Sequence, residues 1–160
     1  MQALRFVMLL SLVVWIGGII FFAAAVAPTV FAVLPTRQLA GQVVSRSLSI
    51  LHWLGVGSGV VFLITSMWYS RVDVGFAHPF AARNSLVLIM IALTMISMFV
   101  ISTKMLALRD DMAVIDNVPL NDPRRVEFNE LHRWSTRLEV GVLAMGIGVL
   151  WLTVKALSGK

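Results

Sequence analysis

Cysteine is absent from this 160-residue chain, tyrosine occurs once, and only 13% of the residues are charged. Without a thiol there is no disulfide, no thiolate nucleophile, no Cys-ligated zinc and no iron–sulfur cluster. A soluble domain is about 25% charged. A chain at half that value lacks the polar surface that water demands. Acidic residues are scarcest, with 8 Asp and Glu against 13 Lys and Arg, for a formal net charge of +5. The basic residues sit at the ends of apolar runs rather than in one patch. That placement reads as interfacial anchoring and excludes a nucleic-acid footprint. There is also no glycine-rich phosphate loop, no HExxH and no nucleophile elbow. A non-enzymatic role is the expectation.

What the chain has in abundance is apolar length. Phe6 to Ala27 contains one polar side chain, Ser11, and 59% of all residues are hydrophobic. A hydrocarbon core about 30 Å thick takes roughly 20 helical residues to cross. The pattern predicts an all-α integral membrane four-helix bundle, one domain over 1–160, with spans at 4–30, 49–70, 85–108 and 137–157. Two amphipathic lead-in helices, 36–48 and 123–136, precede spans two and four. Thr36 after Pro35, and Asp122 before Pro123, are helix-start signals. Arg71 to Arg83 reads as a polar connection in which His78-Pro79 caps a turn, and Arg109 to Asn121 reads as a loop. The first run exceeds the 7–15 residues usual for the core of a signal peptide, and Pro28 follows the small residues Ala25 to Ala27. It is read as a retained span.

The halves look alike. Gly57-Ser58-Gly59-Val60-Val61 resembles Gly146-Ile147-Gly148-Val149-Leu150 at an offset of 89, and Pro35 and Pro123 are 88 apart. This suggests two parallel hairpins. The lead-in face carries eight Lys and Arg against five on the face with both termini, which places the lead-ins in the cytoplasm.

Chemistry is confined to a few residues. His52, Ser49, His132, Ser135 and Glu139 fall on faces that enter from the same side, and together they would make a polar cavity. Glu139 stands out, because a carboxylate inside lipid must find water, a partner or a proton. The alternative is that His132 and Glu139 anchor at headgroup level beside Arg133 or Arg137. Counting back from Tyr69 puts His52 within a turn of the interface. A tight hairpin at Pro35 instead sets it opposite Gly17 and Gly18. No cofactor is expected, although His52 and His132 are the residues a haem would use, and Met95, Met98 and Met105 those copper(I) would use. Gly17, Gly18, Gly55, Gly59, Gly141 and Gly148 are expected to let helices approach closely, within the chain or in a homo-oligomer. The partners expected are the lipid bilayer and a second copy or membrane partner.

Trp15-Ile16-Gly17-Gly18, then Phe21-Phe22, Ala27-Pro28 and Phe31, resembles the opening of a membrane family of unknown activity that includes the eukaryotic transmembrane protein 205 and many bacterial proteins. Leu39-Ala40-Gly41 with Ser45-Arg46, and Leu131-His132 with Ser135, resemble its later elements. The resemblance implies a four-helix protein of the bacterial inner (plasma) membrane. The eukaryotic member's association with platinum-drug resistance implies export or trafficking. The Trp-x-Gly-Gly element is also similar to copper-resistance membrane proteins and to one class of protoporphyrinogen oxidases. Those carry a histidine two turns before the tryptophan, where this chain has Val7 and Met8.

Overall fold

The structure is a computed structural model, and it describes residues 1–76, 81–112 and 117–158. Four helices make the bundle: α1 (Gln2–Val33), α2 (Arg37–Val74), α3 (Ala82–Met112) and α4 (Pro123–Ser158). Each is long and apolar enough to cross a membrane. His78, Pro79 and Asp116 lie outside the described residues.

Local chemistry explains where each helix starts and stops. Pro28 removes a backbone N–H from the interior of α1, which ordinarily breaks a helix. Here the preceding residues Phe22–Val26 widen into a π segment, and the helix continues to Val33. Leu34 is then extended, as the residue before a proline prefers. Thr36 Oγ1 accepts the Leu39 N–H at 3.2 Å and starts α2. Gly75, at φ +85°, ends α2 with its N–H bonded to the Arg71 carbonyl. Asp122 accepts the Arg124 N–H at 2.9 Å and opens α4, with Pro123 in the first turn.

The expected lead-ins are not separate elements. α2 runs unbroken through 38 residues and α4 through 36. At 1.5 Å per residue each is over 50 Å long, about 25 Å more than the hydrocarbon is thick. The loop expected from Arg109 also begins later. α3 continues to Met112 because Arg109 and Met112 are buried against the projecting ends. Arg109 donates to the Gly41 carbonyl and to Ser45 Oγ, both at 3.2 Å, and its guanidinium lies 5.6 Å from the Phe128 ring. One arginine thus ties three helices together. At the opposite end Arg5 donates to the Tyr69 hydroxyl at 3.0 Å and covers its ring.

The core is built on Met8, Leu12, Trp15, Ile16 and Ile19 of α1, meeting Leu51 and Phe62 of α2, Val87 and Met90 of α3, and Val142 and Val149 of α4. Large apolar side chains such as Phe6, Trp53, Trp68 and Trp151 point outward. Lipid tolerates them as readily as the core does, so close packing rather than water exclusion must hold the helices together.

The glycines show where that packing is closest. A Cβ on Gly55 would stand 2.3 Å from Trp15 Nε1, and one on Gly59 would stand 2.7 Å from Trp15 Cζ3. Gly18 faces Leu51 at 2.8 Å. Gly17, Gly141 and Gly148 do not pack within the chain: nothing lies within 4 Å of their Cβ positions. Gly17 is turned away from the Trp15–Ile19 stripe. In α4 the packing glycine is Gly146, against Ile16 and Met90.

Candidate functional site

Two of the five candidate cavity residues meet. Nε2 of His52 and Oε1 of Glu139 share a hydrogen bond of 2.5 Å, joining α2 to α4. His52 is 2% exposed, while Glu139 keeps 18%. The histidine is sealed in the bundle and the carboxylate sits at its edge. Ser135, one turn before Glu139, is buried on the same face.

Ser49 and His132 are exposed. Three residues along a helix turn a side chain by about 60°. From His52 that carries Ser49 beyond the buried stripe, which leads on through Gly55 and Gly59. From Ser135 it carries His132 out of the stripe continued by Val142. His132 also stands two turns from Glu139, about 10 Å along the axis. The structure therefore does not bring His52 and His132 together. No group of three or more His, Asp or Glu side chains is gathered for a metal among the described residues.

Depth follows from the neighbours. Leu51 packs on Gly18, near the middle of α1. Gly18 lies about 20 Å from the Arg5–Tyr69 layer along α1, and His52 lies about 25 Å from it along α2. The pair therefore lies toward the lead-in end of the bundle, away from the Arg5–Tyr69 contact.

A second polar group, not foreseen in the sequence, lies at the other end. Arg83, expected in a connection, is instead in the first turn of α3 and 9% exposed. Its Nε donates to Ser66 Oγ at 3.0 Å and its Nη2 to Ser70 Oγ at 3.4 Å. Ser66 in turn donates to Asn84 Oδ1 at 2.8 Å. The available signal was Ser66 and Ser70, one turn apart on the face that also carries Phe62.

Residues 10–113, well over half of the chain, match the model of a family described as "Domain of unknown function (DUF4149)". The chain belongs to this family. No curated protein and no solved structure matches it. The DUF4149 match takes in most of α1, all of α2 and α3, and so both His52 and Arg83. Glu139 lies beyond the matched segment. The fold and the family together make this an integral membrane protein of unknown activity.

Proposed function

We propose that this protein is a transporter-like or accessory subunit of the bacterial inner membrane, and that the His52–Glu139 pair is its working group. One observation carries the reading: an imidazole and a carboxylate, joined by a hydrogen bond, link two helices long and apolar enough to cross a membrane, with the carboxylate partly open. Ionisable groups are costly in lipid and mark ion pathways, substrate sites and proton relays. The pair can take up, hold or release a proton, and Glu139 can exchange its partner for a cation arriving from the lead-in face. The resemblance to the transmembrane protein 205 family supports the transport side of this reading. Four helices enclose little space, so assembly with a second copy or a membrane partner is part of the proposal. Gly17, Gly57 and Gly148 leave backbone uncovered, and close helix contact in lipid uses such surfaces.

Infrared difference spectroscopy on the full protein in lipid tests this. A working pair is reached by water, so changing bulk pH should produce a carboxyl band that shifts in deuterium oxide and disappears in folded Glu139→Gln. No such band at any pH between 4 and 9 means a dry anchor, and the proposal falls.

A further inference from the structure

The Arg83 cluster shares no residue with the His52–Glu139 pair and lies at the opposite end of the bundle. Its chemistry is unbalanced. A guanidinium presents five N–H donors and a fixed positive charge. The two internal partners of Arg83, Ser66 and Ser70, are neutral hydroxyls, and the Ser70 bond is long at 3.4 Å. No carboxylate stands within ion-pair distance of Arg83 among the described residues. Among the described residues Arg109, the other buried arginine of α3, also lacks an ion pair. It instead reaches a backbone carbonyl, a hydroxyl and an aromatic face across two helices. Arg83 has no such ring or carbonyl among those residues.

Arg83 borders an open cavity of about 270 Å³, lined also by Ser70, Ala81, Ala82, Leu152 and Ala156. The cavity places free guanidinium donors and the Ser70 hydroxyl at one wall and small aliphatic side chains at the others. It lies between α2, the start of α3 and the end of α4, at the end of the bundle that also holds the Arg5–Tyr69 contact. A cavity of this size exceeds a bare anion. Its walls are apolar, while its one charge is positive, buried and without an anionic partner.

We infer that Arg83 and Ser70 form a binding site for a phosphate group, and that the phosphate belongs to the headgroup of an anionic phospholipid. A phosphate offers acceptor oxygens that match the planar fork of arginine. A lipid also supplies a glycerol and chain roots for Leu152 and Ala156, which a free ion does not. Basic pockets between membrane helices hold anionic headgroups in this way. The bound lipid would close the gap between the second hairpin and α2 from outside.

The test uses the full chain in nanodiscs of phosphatidylcholine with a minor fraction of phosphatidylglycerol, released into the gas phase for native mass spectrometry. Wild type should keep one phosphatidylglycerol, and Arg83→Gln should keep it about tenfold less often, the effect of one charged contact. Arg71→Gln, which removes an exposed cation nearby, should retain it. Leu152→Trp fills the cavity and leaves the arginine in place, so it decides the matter if Arg83→Gln does not fold. It too should lose the lipid. Equal retention by wild type and either folded cavity variant overturns the site. Inorganic phosphate that broadens its phosphorus resonance on wild type alone, with no lipid retained, overturns the lipid as its source.

Discussion

Replacing Gly55 by alanine inserts a methyl group where Trp15 already lies. The added carbon would stand 2.3 Å from Nε1 and 2.8 Å from both Cδ1 and Cε2 of that ring. Real carbon contacts do not close to this distance, so something must move. The ring is rigid, 2% exposed, and also packed against Gly59 one turn further on, where Ile91 presses from another side. Trp15 cannot slide along α2, and withdrawing from it opens a void in the core. Overpacking of this kind costs about 1–3 kcal/mol, here toward the upper end. Alanine recovers about 1 kcal/mol over glycine in a helix, leaving a net loss of about 2 kcal/mol. At this chain length that lowers Tm by about 4–8 °C. Gly141→Ala is the control. Nothing lies within 4 Å of its Cβ position, so the helix preference acts alone and Tm should rise by a few degrees. Thermal unfolding of purified protein in mild detergent, followed by circular dichroism, reads both. Gly55→Ala combined with Trp15→Phe should regain part of the loss, since the smaller ring makes room. The reasoning is refuted if both alanine variants move Tm in the same direction, or if the smaller ring restores nothing.

Two further outcomes follow from single polar groups. Ser97 Oγ is fully buried at the start of the π segment with no hydrogen-bond partner among the described residues, whereas Thr94 Oγ1 donates to the Met90 carbonyl at 2.9 Å. Ser97→Ala should therefore leave stability unchanged or raise it by up to about 1 kcal/mol, and Thr94→Val should lower it. A larger loss for Ser97→Ala in the same detergent melt would mean that the hydroxyl has a partner. Asp122, outside the spans, is held down to about 2 by hydrogen bonds from Arg124, above all from its side chain. Because its folded value is depressed, the stabilisation of the α4 start is present above the ordinary carboxylate value near 3.8 and fades as pH falls toward 2. The Arg124 amide resonance should titrate with a midpoint near 2, and a midpoint near 4 would show that the cap is not formed.

The helices were legible because lipid imposes one dominant requirement, apolar length, and composition records it directly. Caps were equally readable at Thr36 and Asp122, since an N-cap is a local bond between near neighbours in sequence. What composition does not record is rotation about each helix axis. In a soluble bundle, polar residues mark the outward face. Here the outward face is as apolar as the core, so Gly141 and Gly148 looked as suitable for packing as Gly146. The same lack of contrast hid which of His52, Ser49, His132, Ser135 and Glu139 converge. Arg83 was misplaced for a related reason. A charge ordinarily marks the end of a span, yet this one is drawn inside by Ser66 and Ser70.

Burial also revises the relation between the halves. The glycine runs align at an offset of 89, but the buried positions align at 87. Gly59 and Gly146 are then partners, both packed, whereas the offset of 89 pairs open Gly57 with packed Gly146 and packed Gly59 with open Gly148. Phe62 falls on Val149 and Ser66 on Thr153, all four with no exposed surface. Letters repeat by chance among small residues in membrane helices, but a buried stripe repeats only where the packing does. At this offset His52 falls on Glu139, the residue it touches. Among the described residues this is the ion pair that joins α2 to α4, and it does so through corresponding positions of the two helices, so one contact ties the first hairpin to the second.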